Sequence, residues 1–129
     1  MVKVTELGYF GFTITDPDAW RDYAANCVGM EVLDDGEGDR FYLRMDNWHH
    51  RFVMHIGNDD DLAYLGWRVA GPRELEGMAR QLEDAAIEFR LASADEAQER
   101  HVLGLLKLID PGGNPTEIFY GPHVETNFP

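Results

Sequence analysis

A single cysteine, Cys27, occurs in the 129 residues. That excludes an internal disulfide and suits a reducing compartment such as the cytoplasm. Cationic side chains are scarce: 11 Lys and Arg stand against 24 Asp and Glu, for a net charge of −13. Nucleic-acid recognition needs a basic stripe to meet the phosphates, and the sequence has none. No apolar run approaches the roughly 20 residues of a membrane-spanning helix. The opening MVKVTELGYF lacks the apolar segment and small-residue cleavage site of a secretory leader. Hydrophobic residues nevertheless make up 44% of the chain and aromatics 12%, enough for one globular domain with a sizeable core.

The stretch from Leu103 to Gly121 is the most strongly patterned. An apolar strand, Leu103 to Ile109, meets a turn built from Pro111, Gly112, Gly113 and Asn114, with Pro115 delaying pairing until Thr116. In the returning strand, alternation places Thr116, Ile118 and Tyr120 on one face, and Glu117 and Phe119 on the other. A half-solvated strand would turn Glu117 outward. A carboxylate sharing a face with an aromatic just past a hairpin is also a candidate functional group.

Upstream, Val2 to Thr15 reads as a strand. Asp16 and Pro17 then supply an N-cap and a first helical residue. The helix runs to about Val28, with Trp20, Tyr23, Ala24 and Cys27 as its apolar stripe and Gly29 as its stop. Short strands follow at Met30 to Leu33, Phe41 to Met45 and Phe52 to Ile56. After the acidic loop Asn58 to Asp61 the pattern begins again: a strand from Leu62 to Ala70, a helix opened by Gly71 and Pro72, and a strand from Glu88 to Leu91. A short helix with Ser93 and Glu96 at capping-box spacing precedes the hairpin. A shift of 55 residues lays Tyr9 on Tyr64, Phe12 on Trp67, Ile14 on Val69 and Pro17 on Pro72. The same shift lays Trp20 on Leu75, Tyr23 on Met78 and Cys27 on Leu82. The chain therefore reads as one α+β domain, 1–129, of two tandem βαβββ modules (about 2–57 and 62–121) with a tail at 122–129. Two such modules can pair as a curved, partly open barrel of about eight strands, with a funnel suited to a small ligand.

Candidate catalytic groups are few. Metal ligation needs converging imidazoles, usually with a carboxylate. His49 and His50 are adjacent and would face opposite ways on a strand; His50 and His55 also differ in face, while His101 and His123 lie elsewhere. The WHHR stretch then reads as a solvated loop anchored by Trp48. Cys27 sits on the expected buried stripe, where it behaves as a small hydrophobe. The glycines after Asp110 precede no helix, so they make a turn and not a phosphate cradle.

The segments DPDAW (16–20), DRFYLRMD (39–46), DDLAYLGWRVAG (60–71), AQERHVLGL (97–105) and DPGGNPTEIFYGP (110–122) closely resemble type I extradiol ring-cleavage dioxygenases. These belong to the vicinal oxygen chelate superfamily, which is built from the same βαβββ unit and includes the glyoxalase-like fold. The resemblance spans nearly the whole chain, but only the amino-terminal half of such an enzyme. It implies an oxidoreductase of aromatic-hydrocarbon catabolism acting on bicyclic or biaryl catechols, with Fe(II) held in a carboxy-terminal copy by two histidines and a glutamate. Transferred by internal pattern, those three places fall on Tyr9, Tyr64 and Glu117. The carboxylate remains and both imidazoles are tyrosines, so the resemblance implies a degenerate site with no metal and no catalytic residue of its own. It implies as partners a carboxy-terminal catalytic domain and further copies of the chain, with Asn127 to Pro129 at the start of a linker. Two other readings stay open. One is a stand-alone barrel that binds a small ligand among Tyr9, Phe10, Tyr64, Trp67 and Phe119 without turnover. The other is a metal site joining Glu117 to His50 or His55.

Overall fold

The computed structural model describes residues 1–125; residues 126–129, part of the expected tail, lie outside the described residues. The first run of elements is β1 (Glu6–Ile14), α1 (Pro17–Asp22), β2 (Glu31–Leu33), β3 (Arg40–Arg44) and β4 (Phe52–Ile56). The second is β5 (Asp61–Arg68), α2 (Pro72–Asp84), β6 (Phe89–Leu91), the short α3 (Ala94–Arg100), β7 (Val102–Ile109) and β8 (Pro115–Pro122). Both keep the order βαβββ, with α3 inserted in the second, so the α+β class holds. The chain divides into two compact units. The first holds Tyr9–Ala63 with Val124 and Glu125, and the second Met1–Gly8 with Tyr64–His123.

Strand pairing repeats between the units. In one, β1 runs parallel to β4, which is antiparallel to β3, which is antiparallel to β2. In the other, β5 runs parallel to β8, and β8, β7 and β6 pair in antiparallel order. The registers coincide too: Gly11 lies opposite Val53, and Gly66, 55 residues on, lies opposite Glu117. Val53 thus holds, in the first unit, the place that Glu117 holds in the second. Neither set of four strands closes on itself, because β2 pairs with β3 alone and β6 with β7 alone among the described residues. The pairing is that of open mixed sheet, not of a closed barrel.

Each unit buries one apolar cluster. Ile14, Ala24, Phe41, Leu43 and Met54 form the first; Val69, Leu75, Met78, Leu82, Leu106 and Ile118 form the second. Burying a large aliphatic or aromatic side chain contributes about 1.5–3 kcal/mol. On α2 the helical spacing puts Leu75, Met78 and Leu82 into the core as expected.

The first helix departs from expectation. It starts as predicted, with the Asp16 carboxylate accepting from the Ala19 N–H at 3.0 Å and Pro17 at the first position. After Asp22 it widens into a π-helical turn, Tyr23–Cys27, in which the Val28 N–H donates to the Tyr23 carbonyl at 3.1 Å. The extra residue in that turn rotates the side chains beyond it off the α-helical stripe. Only Ala24 of the expected stripe is fully buried; Tyr23 is half exposed and Cys27 is exposed. The expectation of a buried Cys27 is therefore corrected.

The β7–β8 hairpin is held by Asp110. Its Oδ1 accepts from the backbone N–H groups of Gly112 and Asn114, each at 2.9 Å, and Gly113 takes φ +84°. These N–H groups, that of Asn114 foremost, hold the Asp110 carboxyl below its usual range. Pairing resumes at Pro115, opposite Ile109, one residue earlier than expected. Thr116, Glu117, Ile118 and Phe119 are all buried, so both faces of β8 are covered, as is usual for a strand with a parallel neighbour. Among the described residues no helix is long and apolar enough to cross a membrane.

Candidate functional site

Glu117 is not the outward, half-solvated residue that alternation alone suggests. Its side chain is 3% exposed and meets the guanidinium of Arg100 in a fork, Nε to Oε1 at 2.9 Å and Nη2 to Oε2 at 2.9 Å. Arg100 is itself buried, 7% exposed at the side chain. It reaches Glu117 because α3 ends there. Ser93 and Glu96 form the predicted capping box at one end, and His101 terminates the helix in the left-handed conformation, φ +55°, at the other. The Arg100 guanidinium carbon lies 3.9 Å from the centroid of the Tyr64 ring, and its Nη1 is 3.2 Å from Glu99 Oε1. One cation therefore joins the tyrosine and the carboxylate, by a cation–π contact on one side and a bidentate ion pair on the other.

A lateral row of charges extends this pair. Lys107 is the cross-strand neighbour of Glu117, and Arg90 is the neighbour of Lys107. Lys107 Nζ lies 3.5 Å from Glu117 Oε2 and 3.0 Å from Glu96 Oε2. Arg90 grips Glu96 with two bonds of 2.8 and 2.6 Å. The Glu96 carboxyl is consequently held far below its usual range, first by Arg90, then by the Ser93 N–H and Lys107.

Tyr9 belongs to the other unit. It is 2% exposed, and its ring centroid lies 5.8 Å from that of His50. His49 and His50 do not face apart: they precede β4 and their Nδ1 atoms approach to 3.0 Å. His50 and Trp48 are buried, so the WHHR stretch is no solvated loop. Tyr42 packs against both imidazoles, with ring centroids at 5.1 and 4.8 Å. Burial first, with Asp35 at 3.1 Å from its hydroxyl adding to it, pushes the Tyr42 phenol up to about 12. His55 stands apart on β4, half-buried and opposite Thr13 and Arg40. Among the described residues no three His, Cys, Asp or Glu side chains are grouped to hold a metal ion.

The structure thus unites Tyr64 with Glu117 through Arg100, and sets Tyr9 beside His50. Sequence reasoning missed Arg100. Its available signal was the capping box, which fixes where α3 runs and so which residue its last turn delivers.

Residues 7–57 match the family model described as the first domain of dihydroxybiphenyl dioxygenase BphC. Over all 129 residues the chain is 64% identical to a biphenyl-2,3-diol 1,2-dioxygenase of Sphingomonas paucimobilis, and 60% identical to a 1,2-dihydroxynaphthalene dioxygenase of Sphingobium xenophagum. A crystal structure of a catechol 2,3-dioxygenase superposes on the whole chain with a TM-score of 0.97 at 65% identity. The chain is similar along its whole length to extradiol dioxygenases. It spans 43% of the length of each of these three relatives and corresponds to the amino-terminal part of an extradiol dioxygenase. An iron-dependent extradiol dioxygenase of Rhodococcus jostii is 34% identical over 124 residues.

The residues of this chain do not fit an iron ion at the Tyr64–Glu117 position. A divalent cation would have to sit beside a buried guanidinium that already occupies both oxygens of the carboxylate. The remaining donor is a phenol, a side-chain type that ligates Fe(II) poorly.

Proposed function

We propose that this chain is the non-catalytic amino-terminal domain of an Fe(II)-dependent extradiol dioxygenase that cleaves bicyclic or biaryl catechols in aromatic-hydrocarbon catabolism. Tyr9, Tyr64 and Glu117 are the degenerate equivalents of a two-histidine, one-glutamate iron site, in a single duplicated domain of modules 2–57 and 62–121. The observation that carries this reading is the Arg100–Glu117 fork: the one acidic group of the three is already neutralised by a fixed organic cation. Iron, the catechol and dioxygen then belong to a carboxy-terminal catalytic domain, in a cytoplasmic homo-oligomer. The amino-terminal domain serves as packing and assembly scaffold. Relatives named for the cleavage of biphenyl-diols and dihydroxynaphthalene support the substrate class.

The test is anaerobic reconstitution of the chain with Fe(II), removal of free metal, and addition of 1,2-dihydroxynaphthalene in an oxygen-electrode cell. The expected outcome is no retained iron and no oxygen uptake. Near-stoichiometric iron with oxygen consumption would overturn the proposal.

A further inference from the structure

His49 and His50 meet Nδ1 to Nδ1 at 3.0 Å in the first unit. A contact between two ring nitrogens needs one N–H and one lone pair. The pair therefore accommodates a single hydrogen between its rings. With both imidazoles protonated, two donors face each other and the contact fails. His50 has no room to turn away, being 4% exposed and packed against the rings of Tyr9 on β1 and Tyr42 on β3. The residue after it is fixed as well. The Arg51 N–H donates to the Leu43 carbonyl, and the Arg51 carbonyl accepts from the Phe10 N–H, each at 2.9 Å. The Arg51 guanidinium meets Asp46 at 2.8 Å and lies 3.7 Å from the centroid of the Trp48 ring. His49, only partly buried, is the member that can leave.

The residues just before His49 hold a second contact. Trp48 forms an isolated antiparallel bridge with Val124, and the Glu125 N–H donates to the Asn47 carbonyl at 2.6 Å. The segment after β8 is thus latched to the stretch that carries the pair. We propose that His49 and His50 form a one-proton lock on this latch, closed near neutral pH and released when both imidazoles are protonated. The released state binds the extra proton, so the latch weakens as pH falls. Imidazole is the side chain that changes charge between pH 5 and 8. Facing the pair are the phenols of Tyr9 and Tyr42, with Asp35 and Arg40 at the Tyr42 hydroxyl and the Asp46–Arg51 pair in the same loop. Side chains of those types titrate outside that range. The lock does not depend on the reading of Tyr9, Tyr64 and Glu117 as a degenerate site.

The test is backbone amide hydrogen exchange at Glu125, read by NMR at pH 8 and pH 5 and corrected for the intrinsic rate at each pH. The protection factor is expected to fall by about tenfold or more at the lower pH. In His49→Asn the carboxamide offers an N–H or an oxygen to either state of His50, so protection is expected to stay the same at both pH values. His123→Gln and His101→Gln remove the imidazoles next to the latched segment and are expected to keep the parent's fall. Circular dichroism at pH 8 checks each fold, and His49→Gln takes the place of His49→Asn if that variant does not fold. Equal protection at both pH values in the parent would overturn the proposal. So would an undiminished fall in His49→Asn, or a fall abolished by His123→Gln or His101→Gln.

Discussion

Arg100 contributes to the molecule through what it neutralises. A carboxylate 3% exposed, as Glu117 is, would be strongly disfavoured without a partner, since removing one member of a buried pair leaves a desolvated charge. Arg100→Ala should therefore lower stability by about 3–5 kcal/mol in a denaturant titration. Arg100→Lys should fall between the two, because it restores charge but not the planar fork. The double variant Arg100→Met with Glu117→Leu should recover most of the loss. A loss below about 1 kcal/mol for Arg100→Ala, the range of an exposed pair, would show that Glu117 is solvated in solution. At this scale the sequence is partly legible. Alternation on β8 marks Glu117, because a carboxylate beside Phe119 conflicts with a simple apolar face. Nothing local marks its partner. Residue 100 meets residue 117 because α3 ends facing β8, and no periodicity within either element encodes that meeting.

Among the elements, the two proline-started helices show what pattern can and cannot decide. Asp16–Pro17 and Gly71–Pro72 announce both starts, and the apolar spacing of α2 correctly places Leu75, Met78 and Leu82. The same spacing in the first helix fails after one turn. Trp20, Tyr23, Ala24 and Cys27 fit an α-helical stripe, yet the backbone inserts a π-helical turn. The Ala24 carbonyl, which an α-helix would give to Val28, accepts instead from the Met30 N–H at 2.7 Å. That bond ties the helix end to the approach to β2, and a tie between elements is invisible to periodicity within one. The chain's single thiol registers the difference chemically. Cys27, turned outward, should react with an aromatic disulfide reagent in native buffer and release one equivalent of thiolate per chain. Cys27→Ser should melt at the same temperature as the parent, since little packing is lost. Reaction only after unfolding would mean that the helix stays α-helical through Cys27 in solution.

For the molecule as a whole, duplication explains the fold and the limits of the site together. The register that sets Gly11 against Val53 sets Gly66 against Glu117. One architecture thus carries an apolar residue in one unit and a neutralised carboxylate in the other. The 55-residue repeat makes the shared architecture legible from the residues alone. The neutralisation is not legible there, because it depends on α3, which among the described residues only the second unit has. The proposed role as a scaffold has a measurable consequence for the isolated chain. Leu91, Leu103 and Ile109 are 64%, 74% and 59% exposed, apolar side chains on β6 and β7 that a scaffold's partner would cover. A net charge of −13 keeps copies apart at low ionic strength through long-range repulsion that salt screens within about 10 Å at 0.1 M. Hydrophobic association therefore should emerge as salt is raised. Sedimentation velocity should show self-association that grows with sodium chloride, accompanied by binding of a hydrophobic dye, and Leu103→Lys should reduce both. An ion-pair-driven association would instead weaken with salt. A chain that remains monomeric and dye-free at every ionic strength would need no covering partner, and the scaffold role would lose its physical basis.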